Sequence, residues 1–218
     1  MQTNNYVTFG LALLAVSAWN GRVTGQQANM AHTHIGHVMT SFKDTPTQQG
    51  LLPAAMAEAK IAAQHAGLAA KAPDNLDAMK LHAGHVIHAI DPTIELKGPG
   101  LGYGVKKATA GASQHVDFAA KSEGASANVK THAGHVSASL GNVTKRADEM
   151  VALAQRIRAA TSAAEAAPLV TQLNTLGGQL GAGVDANSDG QIGWQVGEGG
   201  LQQAEQHMGL MKKGEGLT

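Results

Sequence analysis

One histidine-containing phrase occurs three times in this chain of 218 residues. It reads His-x-Gly-His-Val and begins at His34, His82 and His132. In an α-helix, residues three positions apart lie on nearly the same face, so each phrase presents two imidazoles in one direction. The phrase therefore predicts helices that carry paired histidines. Paired histidines on helices indicate a protein that holds a metal ion, or a metal-containing cofactor, between its helices.

A second phrase, Gln-His, accompanies the first. It occurs at positions 64–65, 114–115 and 206–207. The first two copies each precede a His-x-Gly-His-Val phrase by 17 residues, so the whole unit repeats at an offset of 50 residues and indicates internal duplication. The midpoint of each 17-residue interval falls in a predicted turn. A turn there brings both histidines of the interval to the same height in a helical hairpin. The midpoints between histidines of the other successive helices also fall near predicted turns, which predicts one layer of histidines across five helices.

The composition favours helices over strands. Aromatic residues make up only 3% of the chain, and the alternating apolar pattern of half-buried strands is missing. Proline and glycine divide the chain into helix-length segments, so we expect an all-α, antiparallel helical bundle with repeated His-bearing hairpins. The predicted helices cover about 28–42, 53–71, 76–90, 105–122, 126–140, 142–160 and 162–180, with a short last helix.

Charge and cysteine content exclude several classes of protein. The net charge is zero with neutral histidines, so no basic face indicates a nucleic-acid partner. Cysteine is absent, which excludes disulfides, thiolate zinc sites, iron–sulfur clusters and covalently attached haem. Any metal must therefore be held by nitrogen, oxygen or thioether sulfur. No feature of the sequence identifies a protein partner.

The N-terminal segment resembles a secretory signal. An apolar stretch from Val7 to Val16 is followed by small residues, with cleavage expected after Ala18 or Gly25, although no Lys or Arg precedes the stretch. The stretch is too short for a stable membrane span, so we expect a periplasmic or secreted protein. The expected organisation is a signal peptide at 1–25, a His-rich bundle at 26–142, and C-terminal helices with a polar loop at 143–218, packed on the bundle.

The histidines can be grouped in two ways. In one grouping each Gln-His supplies a third ligand to a pair, which gives His65 with 82 and 85, His115 with 132 and 135, and His207 with 34 and 37. In the other grouping the sets merge into one multinuclear cluster. His88 fits either, whereas His32 points to the other side of its helix. The predicted metal ligands are His34, His37, His65, His82, His85, His88, His115, His132, His135 and His207.

Three neutral imidazoles suit Zn, Cu, Ni or Fe, and Cu or Zn is favoured here. Met39, Met79 and Met208 flank the histidines and are either core residues or additional copper ligands. The glycine in each phrase costs helix stability, which indicates close approach of another helix or of a flat cofactor. Carriage, storage or sensing of metal is the leading hypothesis. Electron transfer through non-covalent haem or copper is the second, and a His-ligated metalloenzyme is the third.

The segment Asp185–Trp194 reads Asp-Ala-Asn-Ser-Asp-Gly-Gln-Ile-Gly-Trp and resembles the calcium loop of the EF-hand family over residues 185–198 only. Gly190 occupies the family's sharp turn. The family's bidentate Glu would fall on Val196, and the nearest carboxylate here is Glu198. The resemblance implies a structural calcium ion that fixes the last helix. Its implied ligands are Asp185, Asn187, Asp189, the carbonyl of Gln191, and Glu198.

Overall fold

The structure, a computed structural model, describes Met1 and residues 29–217. Within this part the chain forms seven α-helices and one short 3-10 turn, with no strand, which confirms the all-α helical bundle. The helices are α1 (Met30–Met39), α2 (Leu51–Ala70), α3 (Leu76–Ile90), α4 (Val105–Lys121), α5 (Ala127–Ala159), α6 (Ala163–Ala182) and α7 (Leu201–Gly214). The 3-10 turn at Pro46–Gln48 separates α1 from α2.

Side-chain caps fix the start of four helices. The side chains of Asn29, Asn75, Ser126 and Ser162 each accept a hydrogen bond from a backbone N–H in the first turn of α1, α3, α5 and α6. Such caps satisfy donors that have no partner inside the helix. At α6 the Glu165 carboxylate also reaches back, and it accepts the backbone N–H of the residue before the cap.

Small residues on α2 allow its neighbours to pack closely. Five buried alanines recur at alternating intervals of four and three residues, which places them on one face of the helix. A Cβ added to Gly177 of α6 would lie 3.1 Å from the Cα of Ala63 and 3.4 Å from the Cβ of Ala66, so α6 approaches α2 closely here. The alanines of this face are Ala55, Ala59, Ala62, Ala66 and Ala69.

Helix α5 is continuous where the sequence predicts a break. Gly141 and Asn142 lie inside Ala127–Ala159, so the predicted fifth and sixth helices are one helix and the expected division at residue 142 falls within it. Relative to alanine, the helix propensity of glycine costs about 1 kcal/mol and that of asparagine up to about 0.7 kcal/mol. Tertiary contacts offset that cost, because the Asn142 side chain donates to the carbonyl of Gln195 at 2.8 Å and accepts the N–H of Gly197 at 2.8 Å.

Helix α5 is long enough for two other helices to pack along different parts of it. At 1.5 Å per residue, 33 residues span about 50 Å. Helix α6 packs on its C-terminal half and α7 on its N-terminal half, where Asn128 donates to the carbonyl of Met211 at 3.0 Å. The loop between α6 and α7 is held to α5 by Arg146, which donates to the carbonyls of residues 197, 198 and 199 at 2.6–2.9 Å.

A buried carboxylate holds the loop before α4. Glu58 of α2 is fully buried and accepts the backbone N–H groups of Leu101, Tyr103 and Gly104 at 2.8–3.2 Å. These bonds satisfy both the carboxylate and three backbone donors of the loop that leads into α4. They fix the position of α4, and α4 carries one of the Gln-His phrases.

No helix in the described part combines the length and the apolar character needed to cross a membrane. The predicted signal segment, including Val7–Val16, falls on residues 2–28, which lie outside the described residues.

Candidate metal centres

Nine histidines assemble into three clusters of three. Each cluster combines the histidine pair of one helix with a single histidine from the Gln-His phrase of another helix. Their ligand-type nitrogens all lie within 4.8 Å of one another in each cluster. We call them site 1 (His34 and His37 of α1 with His115 of α4), site 2 (His82 and His85 of α3 with His65 of α2) and site 3 (His132 and His135 of α5 with His207 of α7).

The same internal geometry recurs at all three sites. The Nδ1 atom of the single histidine lies 2.9, 3.0 and 3.1 Å from the Nδ1 of the first paired histidine at sites 1, 2 and 3. It lies 3.4, 3.2 and 3.4 Å from the Nδ1 of the second paired histidine. Three separately encoded clusters thus point the same atoms at one another, which isolated surface histidines would not do.

These separations fit a single metal ion. An ion with metal–nitrogen bonds of about 2.0–2.1 Å holds two nitrogens about 3.3–3.4 Å apart in tetrahedral geometry and about 2.9 Å apart in octahedral geometry. Hydrogen bonds alone satisfy the clusters less well, because each neutral imidazole Nδ1 carries either one proton or one lone pair. Three facing nitrogens therefore cannot all be paired, whereas one cation accepts all three lone pairs.

The packing of each helix against the core determines the direction in which its two paired histidines point. The valine that ends each phrase is fully buried, and the residue after the first histidine is also buried. Because these apolar residues lie on the core-facing side of the helix, the two histidines lie at the edge of that face and are partly exposed. The buried residues are Ile35, Val38, Ala83, Val86, Ala133 and Val136. The clusters are therefore rigidly placed and still accessible from solvent.

Two of the three predicted groupings are wrong. Site 2 joins His65 to the pair on α3, as the sequence predicts for a simple hairpin. His115, however, joins the pair on α1, and His207 joins the pair on α5. The reason is the packing order: α4 contacts α1, and α7 packs along the N-terminal half of α5. Among the described residues the histidines form three separate sets, so the alternative of one merged cluster is also not what the structure shows.

Other residues singled out in the sequence lie elsewhere. His88 belongs to none of the three sites, because it is buried and its Nδ1–H donates to the carbonyl of Glu95 at 2.8 Å. His32 is also outside the sites, as expected, and its Nε2 lies 3.0 Å from a carboxylate oxygen of Glu215. The flanking methionines Met79 and Met208 are fully buried in the core and Met39 packs against it, which agrees with core filling.

The glycines of the three phrases have open space around them in the described part of the chain. A Cβ added at Gly36, Gly84 or Gly134 would meet no atom within 4 Å, counting the described neighbours. Within residues 29–217, therefore, no other helix makes the expected close approach to these glycines, and the alternative of a flat cofactor stays a prediction. The structure gives no packing reason for them.

Aromatic side chains beside two of the sites were not identified from the sequence. Phe42 and Phe118 each contact two histidine rings of site 1, with centroid separations of 5.0–5.9 Å. Trp194 stacks on His135 of site 3, with centroids 3.9 Å apart and planes 16° apart. Phe118 can be identified from the sequence, because it follows His115 by three residues and therefore lies on the same face of α4. Phe42 and Trp194 come from loops, and only the fold brings them to the sites.

The surroundings favour the neutral form of six of the nine clustered imidazoles, because they lower the pKa of each. Burial, together with the positive charge that neighbouring histidines would carry, lowers the pKa of His34, His65, His115 and His135. The same causes lower the pKa of His207 to about 4. At His85, burial and the neighbouring histidines lower the pKa, and the Glu95 carboxylate opposes them. Neutral imidazole is the form that binds a metal ion.

These shifts predict how the metal-free protein responds to acid. Between about pH 6.5 and about pH 4 the unfolded chain binds more protons than the folded one at His207, so the free energy of unfolding falls as the pH is lowered through that window. We expect the urea midpoint of the metal-free protein to decrease from pH 7 to pH 4.5, and to decrease less for His207→Gln. A midpoint that rises on acidification, or that responds equally in the variant, would contradict this account.

The EF-hand-like loop is ordered by its own hydrogen bonds. The Asp185 carboxylate accepts the N–H groups of Asp189 at 3.2 Å and Gly190 at 2.9 Å, and the Asn187 side-chain oxygen accepts the N–H of Asp189 at 2.9 Å. Glu198 is buried and accepts the N–H of Gly193 at 2.9 Å. Within the described residues, no three acidic side chains converge as the histidines do. Calcium binding therefore stays a prediction.

Comparison with known proteins gives no relative: no protein-family model, curated protein or solved structure matches this chain.

Proposed function

We propose that this protein binds three transition-metal ions, one at each site, for metal carriage, storage or sensing. The observation that supports this proposal most is the recurrence of one three-nitrogen geometry on three different helix pairs. The partial exposure of all nine histidines suits a protein that exchanges its ions with a partner or with solution. The proposed place of action is outside the cytoplasm, because the N-terminal apolar segment resembles a secretory signal.

The donor set favours copper and zinc. The nine histidines of the sites offer imidazole nitrogens, which suit both metals. Haem fits less well, because its iron takes axial ligands from opposite faces of a wide, flat ring. Here the Nδ1 atoms of both paired histidines lie within 3.4 Å of the Nδ1 of the single histidine. The three nitrogens therefore surround one point.

Metal analysis of single variants tests the proposal. We expect the wild-type protein to hold three ions, and His65→Gln, His115→Gln and His207→Gln to hold two each, because a site with only two imidazoles loses most of its affinity. Inductively coupled plasma mass spectrometry of dialysed protein gives the ratio. The control His32→Gln changes a histidine outside the sites and should keep three ions.

Double variants test how the histidines are grouped. His34 and His115 share site 1, so replacing both should remove one ion, whereas replacing His115 and His135 should remove two. A loss of one ion in the second double variant would contradict the grouping. Unchanged metal content in all variants would contradict the proposed function itself.

We further propose that loop 185–198 binds calcium with a structural role. The support is the resemblance to the EF-hand loop, together with the side-chain oxygens of Asp185 and Asn187, which point into the loop and accept its backbone N–H groups. The calcium affinity should be weak, because Val196 replaces the bidentate Glu of the family. We expect millimolar calcium to raise the melting temperature of the wild-type protein, and not that of Asp185→Ala. A calorimetric titration without binding heat at millimolar calcium would contradict this.

A further inference from the structure

We propose that Trp194 is a positioning residue of site 3: its indole holds the His135 imidazole in the orientation that binds the metal ion. This inference rests on the proposed function and adds how one of the three sites is prepared for its ion. It is carried by a stacked contact at site 3 and by the way in which α5 fixes the loop that bears Trp194.

The contact between Trp194 and His135 differs from every other aromatic contact of the three sites in the described part of the chain. The ring centroids lie 3.9 Å apart and the ring planes are 16° apart, so the indole covers one face of the imidazole. At site 1, by contrast, Phe42 and Phe118 lie 5.0–5.9 Å from the histidine rings, with planes 50–86° apart. A parallel contact restricts rotation of the imidazole about its Cβ–Cγ bond, because the turning ring would strike the indole.

The orientation of the His135 ring decides which of its atoms faces the cluster. The torsion between an imidazole and its Cβ is only weakly restricted by itself. In the structure the Nδ1 of His135 lies 3.4 Å from the Nδ1 of His207, so the ring presents a nitrogen rather than a carbon to the other ligands. Because the indole restricts this torsion before an ion binds, it reduces the conformational entropy that His135 loses on binding.

The loop is fixed on both sides of Trp194. The N–H of Gly193 donates to the buried carboxylate of Glu198 at 2.9 Å. The carbonyl of Gln195 accepts a hydrogen bond from the Asn142 side chain of α5 at 2.8 Å. Trp194 therefore lies between two anchored residues, and its indole can serve as a fixed surface for the imidazole.

One face of α5 carries both the anchors of this loop and the metal ligand His135. Ser139, Asn142 and Arg146 follow that histidine by four, seven and eleven residues, which places them on the same side of the helix. Asn142 and Arg146 bind the loop backbone. The loop lies so close to Ser139 that a Cβ added at Gly199 would come within 2.6 Å of the serine hydroxyl oxygen. The surface that fixes the loop thus continues to the histidine on which the indole lies.

A protein that keeps site 3 alone isolates the effect of the indole. In the double variant His65→Gln, His115→Gln, sites 1 and 2 lack their single histidine, so one Zn²⁺ ion should bind per chain, at site 3. We expect Trp194→Ala in this background to weaken Zn²⁺ binding about fivefold, because ordering of the imidazole must then accompany binding. Trp194→Phe should restore most of the affinity, since a phenyl ring can lie on the imidazole in the same way. Competition with a chromogenic zinc chelator measures the dissociation constants.

Two controls separate positioning from a general loss of structure. The double variant His115→Gln, His207→Gln keeps site 2 alone, and Trp194→Ala should leave its Zn²⁺ affinity unchanged. Val196→Ala changes an exposed apolar side chain of the same loop and should leave the affinity of site 3 unchanged.

The emission of Trp194 gives a second readout, because bound Cu²⁺ quenches an indole close to it. In the protein with site 3 alone and Trp19→Phe, one equivalent of Cu²⁺ should quench the emission. Unquenched emission with Cu²⁺ bound, unchanged site 3 affinity in Trp194→Ala, equal losses for Ala and Phe, or equal weakening of site 2 would overturn the inference and leave the proposed function intact. Failure of the wild-type protein to bind either ion would remove both.

Discussion

Saturation with metal is expected to raise the free energy of unfolding by about 8 kcal/mol. An ion present at 100 times its dissociation constant stabilises the folded state by about 2.7 kcal/mol per site, because it binds only the assembled cluster, and three independent sites add. For a chain of this length, such a gain corresponds to a rise in melting temperature of roughly 15–30 °C. Thermal unfolding followed by circular dichroism, with and without metal, measures it.

The triple variant His65→Gln, His115→Gln and His207→Gln is the control for this expectation. It keeps the six paired histidines and removes the single histidine from each site, so the rise should nearly vanish. Addition of a chelator to the loaded wild-type protein should reverse the rise. Equal stabilisation of the wild type and the triple variant would place the binding outside these sites.

Replacing Arg146 by methionine is expected to cost about 3–5 kcal/mol of stability. Its buried guanidinium donates to three consecutive carbonyls in the loop before α7. Methionine removes all three bonds, and among the described residues only the carbonyl of Glu198 keeps another donor, the N–H of Val184. Urea unfolding measures the loss. The same loop carries Trp194, so we also expect the tryptophan emission to shift to longer wavelength as the indole leaves His135.

The matched control lies on the same helix. Arg156 is exposed, and Arg156→Met should change stability by no more than about 0.5 kcal/mol. The emission is best measured in a Trp19→Phe background, in which Trp194 is the only tryptophan left. A similar, small effect of both arginine substitutions would show that the contacts of Arg146 contribute little.

The sequence predicted site 2 completely, because the site needs only local information. His65 and the pair on α3 belong to adjacent helices joined by a short turn. His65 and His82 are equally far from that turn along the chain, so they lie at the same height in the hairpin. The same arithmetic also predicted that His115 and His132 share a height. It could not give the direction in which each side chain points, because that depends on which third helix packs alongside. The structure places α1 beside α4 and α7 beside α5, and the two remaining groupings follow from that order.

Other features depend on contacts distant in sequence. The break predicted at Gly141 followed from helix propensity, and hydrogen bonds from Asn142 to the loop before α7 outweigh that propensity. The aromatic rings around sites 1 and 3 were missed because Phe42 and Trp194 lie on loops without periodicity. The histidine spacing was informative because it recurs on regular helices, where spacing fixes direction.

Anomalous diffraction from crystals of the metal-loaded protein tests the central claim most directly, with data collected at the absorption edge of the bound metal. We expect three peaks per chain, each within bonding distance of the three Nδ1 atoms of one site. Peaks located elsewhere, or a single peak shared by several histidine pairs, would contradict it.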